Sequence, residues 1–387
     1  MTIFYPVPEP MPGRQARFIQ IINTAHALAR AGATVKLITG RAKGTTQEAI
    51  LGHYGLSPHP NLEFVFLPMI RKDAQSPLGI SIGMVFNTAF LNYLYRHKGL
   101  KDVVIFARYL KLAHFIIRTR WLHSIPLVFE AHELFHLTTE KAGRRKQLLR
   151  QQRDVYMAST AIVAITERLR VDIVKEFSLE CVPTITIPDA VKDDLPGAAR
   201  PYEQPEREYV FYAGGLYRWK GVDLLIEAMN LLPGETLVIS GGGERLGELQ
   251  SMAAGMGLKQ RVKFTGQLRH ADVAMYLRAA KIAVIPNLDE SVSMYSSPLK
   301  MFEYMAANVP IVASRIPGVM EILTDGKDAV FFTPGDVKSL SAALKKLLDA
   351  PELAKQIAAA GHTLSGSYTY EKRAAKIIDF LGRTFYN

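Results

Sequence analysis

Short apolar runs alternate with helical patterns along almost the whole chain. In the first half they are Thr2–Tyr5, Thr34–Thr39, Leu62–Leu67, Val103–Phe106, Leu127–Glu130, Ala161–Ile165 and Thr184–Ile187. In the second half they are Tyr209–Ala213, Thr236–Ser240, Val262–Phe264, Ile282–Pro286, Pro310–Ala313 and Ala329–Phe332. Runs that stay apolar belong to strands buried on both faces. Separated by helices, they predict an α/β architecture of doubly wound parallel sheets. The stretch Asp193–Glu208, with Pro196, Pro201 and Pro205 among charged residues, reads as a linker. It divides an N-terminal domain, residues 1–195, from a C-terminal domain, residues 196–369. A last helix, about Tyr370–Phe385, follows a break at Ser365-Gly366-Ser367 and is expected to pack away from its own domain.

A length of 387 residues suits two cores, since single cores stop growing at roughly 250–300 residues. With 48% hydrophobic and 21% charged residues, the composition is that of a globular protein. The single cysteine, Cys181, excludes an intramolecular disulfide and fits a reducing compartment. No run approaches the ~20 apolar residues of a membrane span, and the chain opens on a strand pattern rather than a signal peptide. A net charge of +11 points to an anionic partner: a nucleotide, an anionic membrane face or nucleic acid.

Doubly wound sheets bind ligands at the carboxyl ends of their strands, so candidate chemistry is sought in the loops that follow strands. After the first strand, Val7–Arg17 is a Pro-stiffened loop with one glycine, Gly13, and the arginines Arg14 and Arg17. This is not the Gly-x-Gly-x-x-Gly fingerprint, which disfavours a dinucleotide dehydrogenase. Arg14 and Arg17 read equally as a solvated helix start and as ligand contacts. The strand Val103–Phe106 delivers Arg108 at its end, where a functional arginine and an interdomain ion pair are comparable readings.

His132-Glu133-Leu-Phe-His136 matches the H-E-x-x-H zinc pattern, in which His132 and His136 would share a helix face with Glu133 as general base. The preceding Pro126–Glu130 reads as a buried strand, however, which places His132 in the loop after it. No third ligand stands out downstream, so a non-metal histidine is favoured and no metal is assigned. The next helix carries Arg144, Arg145, Lys146, Arg150 and Arg153. A solvated face is its ordinary reading; a patch for anionic lipid is the sharper one, supported by Arg96, His97, Lys98 and Lys101 near the amphipathic Ile80–Tyr95.

In the second half, Gly214 and Gly215 end a strand and lead through Arg218 and Lys220 into a helix. The two cations are placed to neutralise a diphosphate, as Mg²⁺ does elsewhere. Ser240-Gly241-Gly-Gly243-Glu244 and the glycine at 266 repeat the strand-then-glycine layout. The strand Ile282–Pro286 feeds a polar loop and then a helix for which Ser297 is the expected N-cap and Pro298 the first residue. Such a helix start binds anions, and Glu303, one turn deeper, can accept hydrogen bonds from sugar hydroxyls.

These stretches, together with Phe129-Glu-Ala-His132-Glu and Ser297-Pro-Leu-Lys-Met-Phe-Glu-Tyr-Met-Ala306, resemble the retaining family-four glycosyltransferases, glycosyl transferases group 1 of the GT-B fold. The resemblance extends over essentially the full chain and is most specific over residues 209–335. It implies two Rossmann-like domains facing a cleft, with residues 370–387 crossing back to an N-terminal, acceptor-side domain. In that family the counterpart of Lys220 holds the donor diphosphate, that of Glu303 binds the ribose, and that of His132 lies beside the donor sugar. Leu268 and the Gly241–Glu244 turn match positions on the base and ribose side.

On that basis the catalytic candidates are His132, Arg218 and Lys220. The donor-binding candidates are Gly13, Gly214, Gly215, Gly241, Gly243, Glu244, Leu268, Ser296, Ser297, Pro298, Leu299, Lys300 and Glu303, and Arg14, Arg17 and Arg108 are assigned to the acceptor side. The expected reaction moves a sugar from a UDP- or GDP-linked donor to a hydroxyl of a lipid-linked or saccharide acceptor, without metal or cofactor and with retention. The chain has no Asp-x-Asp, which agrees with cations in place of a metal. A cytoplasmic enzyme peripheral to the inner membrane face, without nucleic acid, is the expected setting. Three positions depart from the family pattern: Tyr295 replaces its first glutamate, Gly215 replaces an arginine, and Gly13 stands where a glycine pair is frequent. A nucleotide-sugar epimerase or non-catalytic homologue is therefore the first rival, and a zinc hydrolase on His132, Glu133 and His136 the second.

Overall fold

The computed structural model describes residues 1–13, 15–41, 44–69, 82–139, 141–192, 208–268 and 270–386. The chain divides into two compact units, Met1–Pro188 with Tyr370–Asn387, and Asp189–Thr369. Most of the sequence-predicted linker, residues 193–207, lies outside the described residues, as does Arg14.

Unit 1 holds a parallel sheet in the order β3-β2-β1-β4-β5-β6-β7. Its strands are β1 (Thr2–Met11), β2 (Thr34–Arg41), β3 (Leu62–Leu67), β4 (Val103–Ala107), β5 (Leu127–Ala131), β6 (Ala161–Ala164) and β7 (Thr184–Thr186). The first strand is longer than its apolar run, because the Pro-rich segment Pro6–Met11 stays extended. Thr2 donates its N–H to Asp102 on the β4 side, and Pro6, Pro8 and Pro10 share its parity. Pairing with β4 stops at Phe4, so the missing proline N–H groups fall where no strand would accept them. β1 meanwhile pairs with β2 as far as Met11, with a register shift between Val7 and Pro10.

Unit 2 holds β8 (Tyr209–Ala213), β9 (Leu237–Ser240), β10 (Val262–Gly266), β11 (Ala280–Ile285), β12 (Ile311–Ser314) and β13 (Val330–Phe332). Their order is β10-β9-β8-β11-β12-β13, again parallel. Alternate residues of β8 enter opposite cores. Val210 and Tyr212 join Leu225, Met229, Leu340 and Leu344 on one face. Tyr209, Phe211 and Ala213 join Leu277, Phe302 and Met305 on the other. Both faces are covered by helices, which is why the strands read as unbroken apolar runs.

The C-terminal helix Tyr370–Tyr386 belongs to unit 1, where Arg373, Ala374, Ile377, Phe380 and Leu381 form its buried stripe. Arg30 on the first helix, Ala16–Arg30, pairs with its Glu371 at 2.9 Å. Among the described residues no helix is long and apolar enough to cross a membrane.

Candidate functional site

In unit 2 the strand order reverses between β8 and β11, so ligands are accommodated beyond the carboxyl ends of these strands. The turns there stack backbone on backbone. Gly214 N–H donates to Ser240 O at 2.9 Å, Gly241 N–H to Gly266 O at 2.9 Å, and Leu216 N–H to Gly242 O at 3.0 Å. A Cβ on Gly241 would stand 1.8 Å from Gly214 O, and one on Gly243 would stand 2.8 Å from the Leu216 backbone. These two glycines are required by the packing of turn on turn.

Gly214 is different, because its missing Cβ faces a side chain. Lys300 Nζ lies 2.8 Å from where that Cβ would be. Lys300 stands at the start of the helix Leu299–Ala306 and is buried, with its Nζ 3.9 Å from the centre of the Tyr212 ring. Tyr212 in turn donates its hydroxyl to Gly215 O at 2.8 Å, and Tyr304 accepts the Ala213 N–H at 2.9 Å, so the helix and the end of β8 are fixed to each other.

Lys220 comes from the short turn Arg218–Lys220, which Gly221 closes at a φ of 62° before the helix Val222–Asn230. A Cβ on Gly221 would lie 2.0 Å from Pro286 O at the end of β11, so this glycine also allows a close approach. The Lys220 Nζ rests 3.7 Å over the Trp219 ring. Burial lowers its pKa from 10.5 to about 7. Burial also pushes Lys300 well below the usual lysine range, the Lys220 charge adds to the effect, and Glu303 opposes it. Neither lysine forms an ion pair with a carboxylate among the described residues. Two ammonium groups near enough for one charge to disfavour the other form a candidate anion site.

The predicted helix start is corrected by the structure. Leu299 is the first helical residue and Pro298 the N-cap, with an extended ψ of 116° and no side-chain cap. Ser297 is buried, and its hydroxyl accepts the Asp189 N–H at 3.2 Å instead of capping. The loop before it contains a short helix, Ser291–Met294, that ends on the buried Tyr295. Ser296 packs against Gly318, where a Cβ would meet Ser296 O at 2.1 Å. Glu303 and Leu268 are half-buried, and Glu244 is exposed. Arg218 is exposed, and its nearest carboxylate is Glu290, at 3.9 Å. The cation set beside Lys220 is Lys300.

In unit 1 the corresponding reversal falls between β1 and β4, and a cluster of polar side chains lies at the strand ends. Gln20 Nε2 donates to Glu130 Oε1 at 3.0 Å, Arg108 donates to Gln20 Oε1, and Arg108 Nη2 reaches His132 Nδ1 at 3.3 Å. His132 Nε2 lies 3.0 Å from Glu130 Oε2, within ion-pair range but not aligned as a hydrogen bond. A guanidinium only donates, so in the neutral imidazole the Arg108 contact puts the lone pair on Nδ1 and the proton on Nε2. Glu130 is fully buried. Burial alone would raise its carboxyl, but His132, Arg373 and Arg108 outweigh that and hold it well below the usual carboxylate range.

Gly13 is pinned by Tyr54, whose hydroxyl accepts the Gly13 N–H at 2.9 Å and donates to Gly13 O at 2.8 Å. Arg17 is held by Glu9 through bonds of 3.1 and 2.6 Å. The H-E-x-x-H residues are dispersed. His136 pairs with Glu176 at 2.8 Å, Glu133 accepts from Thr138, and His132 belongs to the cluster around Glu130. Among the described residues no three His, Cys, Asp or Glu side chains are grouped to hold a metal.

Sequence reasoning missed Glu130 and Arg373 as site residues. The signals were present: a carboxylate inside the apolar run Leu127–Ala131, and an arginine at the i+3 position of the apolar stripe Tyr370, Ala374, Ile377. A buried charge of each sign requires a partner.

Residues 199–363 match the family model described as glycosyl transferases group 1. The D-inositol 3-phosphate glycosyltransferase of Xylanimonas cellulosilytica is 24% identical, over 93% of this chain and 90% of that protein. Among solved structures, sucrose-phosphate synthase from Thermosynechococcus elongatus superposes with a TM-score of 0.79 at 19% identity, covering 99% of each chain. Anabaena Alr3699/HepE in complex with UDP-glucose gives 0.73 at 18% identity, over 99% of this chain and 100% of that one.

Proposed function

We propose that this chain, whose residues 199–363 belong to the glycosyl transferases group 1, is a retaining glycosyltransferase that uses two lysines in place of a metal ion. It is a glycosyltransferase with the GT-B fold. The donor is a nucleotide-diphosphate sugar, as in the UDP-glucose complex of the Anabaena protein. The convergence of Lys220 and Lys300, without a carboxylate in ion pair with either among the described residues, carries this reading. Negative charge grows on the diphosphate as the sugar leaves, and fixed ammonium groups gain most where charge develops. Glu303, in the same helix as Lys300, accepts the ribose hydroxyls.

Retention follows if the leaving phosphate itself takes the acceptor proton. His132 supports this by default: its one lone pair already faces Arg108, so it cannot act as a base without breaking that contact. Its role is to orient the donor sugar. No cofactor is required.

The acceptor is a saccharide or lipid-linked hydroxyl at an anionic membrane face. Arg144, Arg145, Lys146, Arg150 and Arg153 are exposed on the helix Ala142–Ala158. Arg120 Nη1 bonds Ala158 O at 3.2 Å, which brings the segment of Trp121, 79% exposed, to the end of that helix beside Met157, 61% exposed. Exposed cations along a helix, with an exposed tryptophan segment at its end, suit a lipid headgroup layer.

The buried Tyr295, in the family's glutamate position, favours a second reading, an epimerase acting on the same donors. Incubation with UDP-, GDP- and ADP-linked sugars, with and without an acceptor extract, separates the two. Acceptor-dependent release of nucleoside diphosphate with an α-configured product supports transfer. Acceptor-independent conversion of one nucleotide sugar into another replaces it with epimerisation.

A further inference from the structure

Arg373 enters unit 1 from the C-terminal helix, more than two hundred residues after the strand it reaches. It is buried, and its guanidinium makes three contacts. Nη1 donates to Ile187 O at 2.7 Å and to Pro188 O, and Nη2 donates to Glu130 Oε1. Glu130 faces His132 from its other oxygen. A guanidinium inside a domain is costly unless its charge is matched, and here the match is the carboxylate beside the histidine.

We infer that Arg373 is a positioning residue for His132. From the last helix it fixes Glu130, and through Glu130 it sets the orientation of the imidazole. The inference rests on the reading of His132 as the residue that orients the donor sugar.

Charge balance gives the mechanism. The charged and titratable groups around the carboxylate are His132 on its own strand loop, Arg108 after β4, Tyr5 on β1 and Arg373 on the C-terminal helix, with the neutral Gln20 on the first helix. Tyr5 donates its hydroxyl to Glu130 Oε2 at 3.5 Å, and burial holds the phenol well above its usual value, so it stays neutral. Two guanidinium groups and the imidazole therefore share one carboxylate. Removing Arg373 takes away one cation, and the carboxylate then favours an imidazolium. An imidazolium carries a proton on Nδ1, which faces the donating Arg108, so that contact breaks and the ring turns.

The test compares Arg373→Met, Arg373→Lys and Glu130→Gln in the full chain. Ring-nitrogen NMR shifts of ¹⁵N-labelled His132 are followed against pH, with the pH profile of kcat alongside. In Arg373→Met, protonation of His132 and the acidic limb of kcat move to higher pH by about one unit, the size of a single charge neighbour's effect. In Glu130→Gln both move the opposite way, and Arg373→Lys lies between wild type and the methionine variant. Should Arg373→Met fail to fold, Glu130→Gln and Arg373→Lys still decide. Unchanged ring-nitrogen shifts in folded variants overturn the inference. The NMR arm needs no transfer activity, so a wild-type chain without transfer would fault the proposed function and leave this inference standing or falling on its own.

Discussion

The ammonium of Lys300 lies 3.9 Å from the centre of the Tyr212 ring, buried and with no hydrogen-bond partner among the described residues. The ring face supplies some of the negative potential that a carboxylate would give, without closing the site as a carboxylate would. Gly214 leaves the space the ammonium occupies. On the proposed reading, the arginine missing at Gly215 is answered by a lysine from a different element.

Lys300→Met removes this charge while keeping the apolar stem in place. The expected result is a folded protein whose affinity for a nucleoside diphosphate drops about 10- to 100-fold, the range for losing a charged hydrogen-bond donor. Calorimetric titration measures it. Near-wild-type affinity would remove Lys300 from the site.

Proton linkage gives a second prediction. Burial lowers Lys220 from 10.5 to about 7 in the free protein, and a bound diphosphate favours the ammonium. Binding therefore takes up protons near neutrality, and affinity falls as pH rises through 7. Titrations in two buffers of different ionisation enthalpy detect the uptake. For folding the sign is the reverse of a salt-bridged group. The folded pKa lies below the unfolded one, so the charged lysine destabilises fully below pH 7, and this cost vanishes as pH rises towards 10.5. Lys220→Met is expected to raise Tm at pH 6–7 and to lose that advantage on going alkaline.

Two glycine substitutions are expected to fail differently. Gly241→Ala drives a Cβ against Gly214 O at 1.8 Å, a backbone atom that cannot yield alone, and the φ of +155° adds strain. It should cost about 1–3 kcal/mol or more in stability, the range for overpacking. Gly214→Ala carries similar strain from its φ of +151°, but its Cβ meets side chains instead of backbone, the Lys300 ammonium at 2.8 Å and the Tyr212 hydroxyl at 3.0 Å. It should cost less stability than Gly241→Ala while displacing Lys300 and weakening binding. Paired melting curves and titrations distinguish the two; equal melting curves would contradict the stacked turns.

The basic face makes a fourth prediction. Each cation near an anionic surface is worth about 1 kcal/mol, so Arg144→Glu, Arg145→Glu and Lys146→Glu together should abolish co-sedimentation with phosphatidylglycerol vesicles. Trp121→Ser should weaken it. Equal binding of wild-type protein to phosphatidylcholine vesicles would speak against an electrostatic membrane contact.

The strands were legible in the sequence because burial on both faces demands unbroken apolar runs. Tyr209–Ala213 is the same run in sequence and structure, and β1 outgrew its run only because prolines can extend where no neighbour needs their N–H. Lys220 and His132 were legible as polar residues placed just after strands. The N-cap was not, since whether Ser297 turns to its helix or to the Asp189 N–H is a tertiary choice invisible in local spacing. The pairing of Glu130 with Arg373 was likewise hidden by separation along the chain, although each residue, taken alone, breaks an apolar pattern.

The central claim, a diphosphate held by Lys220 and Lys300, is tested most directly by titrating UDP, UMP, GDP and GMP into the wild-type chain and into the Lys220→Met/Lys300→Met double variant. The wild-type chain should bind one diphosphate at least about tenfold more tightly than its monophosphate, a difference of ~1.4 kcal/mol, and the double variant should lose that preference. Equal affinity for diphosphate and monophosphate, or a preference that survives in the double variant, would contradict it.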